Sequence, residues 1–164
     1  MDVEDLLALA AYLRDSRARF LATFRDLGWN EFTRDRGASY GSPLAIVLHM
    51  LDDEEGWLQY AARGRSIVGG PDRKPGDYRS FDQVAADDLR VGDGTRQFLE
   101  GLRGTDLACE VEFAETDRIS RYPLEKIVTH ALVDEVAHLG ELVCLLWQLD
   151  VKPPYLDWLD YALG

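Results

Sequence analysis

Apolar side chains recur every three or four positions over most of the chain, the spacing that places them on one face of an α-helix. The first such stretch covers residues 2–27 and ends at Gly28, a residue type that favours the C-terminal cap of a helix. Its apolar positions are Leu6, Leu9, Leu13, Phe20, Phe24 and Leu27. This pattern predicts a first long helix.

A second helix is predicted from Pro43 to about Arg63. Ser42 can accept a hydrogen bond from the free backbone amides at its start, and a proline in the first position removes no helical hydrogen bond. Residues 37–41 before it are turn-like, and the glycine- and proline-rich residues 64–76 after it predict a long loop.

A third helix is predicted to begin after Ser80, because Ser80 and Gln83 have the spacing of a capping box. Its apolar positions are Phe81, Val84, Val91, Phe98 and Leu102. Residues 108–113 then alternate in part between apolar and polar side chains, and residues 119–122 follow across a turn. These two segments predict a short β-hairpin.

The fourth predicted helix opens at Pro123 and continues to about Leu149. It is apolar around most of its circumference, as expected for the most buried helix of a bundle. Residues 153–164 predict one short C-terminal helix that packs Tyr155, Trp158 and Tyr161 against the outside. The fold class that follows is all-α, a four-helix bundle with a short β-hairpin before the fourth helix.

The composition predicts a single domain over residues 1–164. A chain of this length with 46% hydrophobic residues can bury one core, and no composition break or internal repeat divides it. The two cysteines, Cys109 and Cys144, do not predict a disulfide framework. Cys144 lies among leucines and valines, so we expect it to be a small buried apolar residue.

The charge of the chain excludes several classes of partner. Thirty acidic residues against eighteen basic ones give a net charge of -12, which repels phosphate backbones and anionic membrane surfaces. No apolar run is long enough to cross a bilayer, and residues 1–10 carry acids where a secretory signal would be positive. We therefore expect a cytoplasmic protein with no nucleic-acid or membrane partner.

Asp134 and His138 are the first candidates for chemistry. Side chains four residues apart on a helix share a face, and Asp134 has apolar neighbours on that face, so its carboxylate should be protonated, paired or bound to a metal. His49, from the second helix, can complete a site of two histidines and one carboxylate. Two alternatives remain at this point: an ion pair of Asp134 with His138 or an arginine, and a pair of His130 with Asp134.

Two short stretches of the chain resemble the DinB/YfiT-like superfamily. Residues 134–141 read Asp-Glu-Val-Ala-His-Leu-Gly-Glu and precede a leucine-rich helix and a Pro-Pro-x-x-Asp tail that ends at Asp157. In residues 47–54, a histidine is followed five positions later by an acid. The family fold is a four-helix bundle with an up-down-down-up course, which requires a long crossover such as residues 64–79.

By position, the resemblance implies that His49, Asp134 and His138 are the metal ligands. Asp134 is usually histidine in the family, but it is glutamate in the branch that resembles mycothiol-dependent maleylpyruvate isomerase, so a carboxylate has precedent. Glu54 and Glu135 are then expected to orient the ligating imidazoles. The resemblance implies that His130 is not a ligand. We expect it to lie near the ligands and to support them.

A site of two histidines and one carboxylate leaves coordination positions open, as in catalytic zinc and non-haem iron sites. We expect zinc, with nickel, iron or manganese as alternatives. The resemblance implies a homodimeric thiol S-transferase that uses a low-molecular-weight thiol, such as bacillithiol or mycothiol, on a small electrophile in a pocket lined by Trp57 and Met50. The alternatives are a non-catalytic metal- or ligand-binding bundle and a metal-dependent hydrolase. The sequence identifies no individual catalytic residue.

Overall fold

The computed structural model of the protein describes residues 1–163, and Gly164, the last residue of the predicted tail, lies outside the described residues. The described chain forms six α-helices and one antiparallel pair of strands. The helices are α1 (Val3–Leu27), α2 (Trp29–Thr33), α3 (Pro43–Glu55), α4 (Phe81–Glu100), α5 (Leu124–Gln148) and α6 (Trp158–Leu163), and the strands are β1 (Glu110–Ala114) and β2 (Ile119–Pro123).

The helix starts confirm the signals read from the sequence. The side chain of Ser42 accepts a hydrogen bond from the backbone N–H of Ala45 at 3.1 Å, and Pro43 is the first residue of α3. The side chain of Ser80 likewise accepts from the N–H of Gln83 at 3.4 Å, but the side chain of Gln83 accepts from the N–H of Arg79 and not of Ser80, so only half of the predicted capping box forms. These bonds satisfy backbone donors that the helix itself leaves free.

The second predicted helix is helical throughout but not α-helical throughout. The α-helical geometry ends at Glu55, and the chain continues as one π-helical turn, Gly56–Tyr60, and a 3-10 turn, Ala61–Arg63. Helix α2 was not predicted, because five residues are too few to show a period. It inserts Phe32 against Phe81 at 4.8 Å between ring centroids.

The four long helices pack around one core. Helix α1 packs against α4 and α5, and α3 packs against the same two helices. The buried side chains of this core include Leu13, Phe20, Phe24, Leu48, Leu51, Val91, Leu142 and Leu146. Among the described residues, no helix is long and apolar enough to cross a membrane.

The predicted β-hairpin is confirmed. Strands β1 and β2 pair antiparallel in the register that runs from Glu110 opposite Pro123 to Ala114 opposite Ile119. The turn closes with a hydrogen bond from the N–H of Glu115 to the carbonyl of Arg118 at 2.8 Å. The hairpin precedes α5 directly, so it lies at the end of the bundle where α5 begins.

Two details of the C-terminal half differ from the prediction. Cys144 is exposed, because it lies on the outer face of α5, whose inner face is formed by other apolar residues. The tail helix forms, and Trp158 and Tyr161 pack against Tyr12 of α1 at 5.5 and 5.3 Å between ring centroids. Tyr155, however, is 66% exposed and precedes the helix.

Arg17 of α1 is a buried charge at the centre of the bundle. Its side chain is 0% exposed, and it donates hydrogen bonds to Glu54 of α3 at 2.8 Å, to Glu135 of α5 at 2.7 Å and to Asp88 of α4. One guanidinium thus contacts each of the other three long helices. Burial, with the negative charges of Glu54 and Asp88, raises the pKa of Glu135 to about 8 despite the neighbouring guanidinium.

We expect Arg17→Met to lower the free energy of unfolding by roughly 3–5 kcal/mol, because it leaves three buried acidic side chains without the cation that donates hydrogen bonds to them. Urea denaturation measures this loss. The control, Arg19→Met, removes a half-exposed arginine that pairs with Asp15 and should cost less than about 1 kcal/mol. An equal effect of the two substitutions would show that the buried cluster does not stabilise the fold.

Candidate metal centre

The structure brings His49, Asp134 and His138 together in the groove between α3 and α5. One ligand atom from each of the three side chains lies within 4.8 Å of the other two. The Oδ2 atom of Asp134 is 3.4 Å from Nε2 of His138 and 3.9 Å from Nε2 of His49. A cluster of this composition and size can hold a metal ion.

The cluster lies near the surface of the bundle and not in its core. The exposed side-chain fractions are 21% for His49, 30% for Asp134 and 12% for His138. Asp134 therefore does not point into wholly apolar surroundings, as its position on the helix had suggested. A small molecule in solution can reach this edge of the groove.

One oxygen atom of the cluster lacks a partner. The Oδ2 atom of Asp134 is buried and accepts no hydrogen bond from any residue in the described part of the chain. A buried carboxylate oxygen without a donor is costly, and a cation between it and the two imidazoles would remove that cost. Two nitrogens and one oxygen also form a donor set that suits divalent transition metals. The residues present therefore fit a metal ion.

Asp53 is a member of the site that the sequence pattern did not single out. Its Oδ2 atom lies 3.5 Å from Nε2 of His49, which precedes it by one helical turn on α3. Burial, followed by the neighbouring carboxylate of Asp134, raises the pKa of Asp53 to about 7. The available signal was the spacing of four residues from His49, the same spacing that relates Asp134 to His138.

The orientation of His138 is fixed from the opposite side of its ring. Its Nδ1 atom lies 2.8 Å from Oε2 of Glu141, and that carboxylate also accepts a hydrogen bond from the hydroxyl of Ser39 at 2.8 Å. Burial alone would raise the pKa of Glu141, but these hydrogen bonds lower it below its usual value. With Nδ1 engaged by Glu141, the Nε2 atom of His138 faces Asp134.

Tyr40 covers His49. Their rings stack at 3.9 Å between centroids, and the Tyr40 hydroxyl lies 2.9 Å from Nε2 of His49. Burial, followed by the proximity of the His138 imidazole, lowers the pKa of His49 and favours the neutral imidazole that a metal requires. Tyr40 is half exposed and comes from the segment before α3, so it borders the site on the solvent side.

Glu54 and Glu135 do not orient the imidazoles, contrary to expectation. Both carboxylates bind Arg17 in the interior, at 2.8 and 2.7 Å. Each directly follows a residue of the cluster, and consecutive helical side chains point about 100° apart. Glu141, from the next turn of α5, orients the imidazole of His138 instead. This is the role that was expected of Glu54 and Glu135.

His130, Trp57 and Met50 also lie away from the cluster. His130 is exposed and contacts Trp57 at 4.7 Å between ring centroids. It precedes His138 by eight residues, which is roughly 12 Å along the helix. Met50 is only 2% exposed and belongs to the core. None of the three therefore lines the candidate metal site.

The sequence matches the DinB family over residues 1–163, and the chain belongs to this family. Its structure is similar to the crystal structure of a DinB-like protein, YjoA, from Bacillus subtilis, with a TM-score of 0.67 and 12% sequence identity. The similarity covers 91% of this chain and 97% of that chain, and at this identity it shows the fold alone. The comparison with curated proteins gave no match.

Proposed function

We propose that the protein is a divalent-metal-dependent enzyme whose metal ligands are His49, Asp134 and His138. The observation that carries this proposal is the buried Oδ2 atom of Asp134, which has no hydrogen-bond partner and lies beside the Nε2 atoms of both histidines. Zinc suits the donor set best, with nickel, iron or manganese as alternatives. When bound, such an ion supplies a Lewis acid that keeps a thiolate ionised near neutral pH.

The reaction we propose is the transfer of a low-molecular-weight thiol, of the bacillithiol or mycothiol type, to a small electrophile. Glu141 holds His138 in place through Nδ1, and Tyr40 shields His49 from solvent. Asp53 lies 3.5 Å from Nε2 of His49, beside the cluster, so its carboxylate can accept the proton that an incoming thiol loses. Family membership supports the class of reaction, and the exposed edge of the cluster supports access by small molecules.

We also propose that the four long helices follow an up-down-down-up course. Arg14 and Arg25 of α1 pair with Asp93 and Asp82 of α4, so these two helices run in opposite directions. His49 and Trp57 of α3 lie against His138 and His130 of α5, which makes that pair antiparallel as well.

We expect the purified protein to bind about one zinc ion per chain, and His49→Ala, Asp134→Ala or His138→Ala to remove it. Elemental analysis and isothermal titration calorimetry measure occupancy and affinity. His130→Ala is the matched control and should keep full occupancy, because that imidazole lies against Trp57. Equal loss of metal in His130→Ala and His138→Ala would overturn the choice of ligands.

The pH dependence of zinc affinity offers a second measurement on the same site. Asp53 has a pKa of about 7, so the folded protein without metal carries a proton beside Asp134 below this pH. Binding of a cation displaces that proton, so affinity should rise as the pH increases from about 6 to about 8. In Asp53→Asn the rise should be shallower. An unchanged profile would exclude Asp53 from the site.

We expect zinc-loaded protein to accelerate conjugation of a low-molecular-weight thiol to an electrophile such as 1-chloro-2,4-dinitrobenzene. Asp134→Ala should abolish metal binding and rate together. Asp134→His should keep the metal and change the rate, because a neutral imidazole in place of a carboxylate raises the net charge of the site by one. Rates that do not depend on metal over a panel of thiols and electrophiles would contradict the transferase assignment.

We also propose a symmetric homodimer. The fully exposed positions of α5 between Val133 and Gln148 carry no charged side chain, although the chain has a net charge of -12, and Glu141 at the edge of this face is 32% exposed and pairs with His138. The exposed residues of this face are Val133, Val136, Ala137, Gly140, Cys144, Trp147 and Gln148. Two copies that meet on this face would bury an apolar surface without opposing like charges.

Light scattering at micromolar concentration should give the mass of two chains for the wild-type protein. Val136→Glu should give the mass of one chain, because it places a negative charge within the apolar face of α5. The control Val68→Glu changes a similarly exposed valine in the crossover loop and should remain dimeric. A monomeric wild-type protein would refute this mode of assembly.

A further inference from the structure

A second cavity lies in the groove between α3 and α5, at the end that the β-hairpin covers. Its volume is about 450 Å³, which is within the range of small-molecule sites. The residues that line it are Trp57, Tyr122, Ile127, His130, Arg118 and Lys126, with Glu115 at the turn of the hairpin. None of these residues belongs to the candidate metal site.

Three of the seven side chains that line the cavity carry aromatic rings, those of Trp57, Tyr122 and His130. Trp57 contacts His130 at 4.7 Å and Phe113 at 5.8 Å between ring centroids, in both cases edge to face. Tyr122 of β2 is 41% exposed, and Ile127 of α5 forms an apolar base. A flat apolar ligand can pack against such side chains in stacked or edge-to-face arrangements.

Trp57 reaches this cavity from an unusual stretch of backbone. It is the second residue of the π-helical turn Gly56–Tyr60, which follows the end of α3 at Glu55. π-Helical turns are rare in proteins and occur often at functional sites. The π-helical turn therefore includes Trp57, the residue that forms one wall of the cavity.

The charge of the lining is opposite to that of the protein as a whole. Arg118 and Lys126 contribute two positive charges, their side chains are 65% and 68% exposed, and Lys126 also lies 3.7 Å from Oε1 of Glu125. The one carboxylate, Glu115, already accepts hydrogen bonds from Nη2 of Arg118 at 3.1 Å and from the hydroxyl of Ser120. The Nε and Nη1 atoms of Arg118 donate no hydrogen bond within residues 1–163, so they are available to an anion.

The cavity is also separate from the metal site. Trp57 follows His49 by eight residues on one side of the groove, and His130 precedes His138 by eight on the other side. Eight residues correspond to roughly 12 Å along a helix axis. A ligand of two fused rings in the cavity would therefore not touch the cluster of imidazoles and carboxylates.

We propose that this cavity is a second binding site, and that it takes a flat aromatic carboxylate. The ring of the ligand packs among Trp57, Tyr122 and His130, and its carboxylate accepts hydrogen bonds from Arg118 and Lys126 at the rim. The site does not depend on the metal, so the inference stands independently of the proposed enzymatic function.

The test is isothermal titration calorimetry of the full chain with 2-naphthoate, using 2-naphthalenemethanol as the uncharged analogue of the same shape. We expect saturable binding of one 2-naphthoate per chain, with the same affinity for metal-free and zinc-loaded protein. The alcohol should bind more weakly by roughly fivefold, because it cannot pair with the two cations.

Two sets of variants locate the ligand. Arg118→Gln combined with Lys126→Gln should weaken 2-naphthoate binding roughly fivefold and leave the alcohol unchanged. The matched control, Arg121→Gln combined with Lys74→Gln, removes the same charge from exposed positions outside the cavity and should change affinity by less than about twofold.

Substitution of the tryptophan tests the aromatic wall. Trp57→Leu should weaken both ligands by roughly tenfold, and Trp57→Phe should weaken them less because a ring remains. Circular dichroism melts verify that these variants fold. If Trp57→Leu does not fold, the surface charge variants still test the proposal. Equal binding of acid and alcohol, equal effects of the two charge pairs, or binding that requires zinc would overturn the proposal.

Discussion

The contact of Arg17 with three acids is the constraint on which the rest of the structure depends. A buried guanidinium must be fully paired, because an isolated charge in the interior costs several kcal/mol. Glu54 and Glu135 meet this demand only if α3 and α5 are rotated so that both residues face the centre. The preceding residues, Asp53 and Asp134, then point about 100° away and into the groove between the two helices. The buried cluster thereby determines which side chains form the candidate metal site.

The same rotation creates an electrostatic problem at the surface of the groove. Burial and the nearby carboxylate of Asp134 raise the pKa of Asp53 to about 7. The imidazoles of His49 and His138 offer two nitrogens at the same place, and the Oδ2 atom of Asp134 remains without a donor. Two carboxylates repel one another, and a cation between them and the two imidazoles removes that repulsion. The fold thus holds together groups whose negative charge a bound cation can balance.

Much of the architecture and the main cluster were predictable from local pattern. Helical periodicity fixed the long helices, Ser42 and Ser80 marked two of their starts, and the alternation on either side of one turn predicted the hairpin. The spacing of four residues between Asp134 and His138 was enough to place both on one face of α5. These features depend on residues a few positions apart, whose relation the backbone geometry of a helix or strand dictates.

What only the tertiary structure decided is which faces meet. Glu54 and Glu135 turned inward to Arg17 because a buried cation lies there, a fact that no spacing along the chain reveals. Glu141 lies within hydrogen-bond distance of His138, and His130 lines a separate cavity opposite the π-helical turn. The sequence by itself determined the helices and the candidate ligands on each. Their partners were set by the packing of helices far apart in the chain, because the energies of burial and charge pairing depend on that packing.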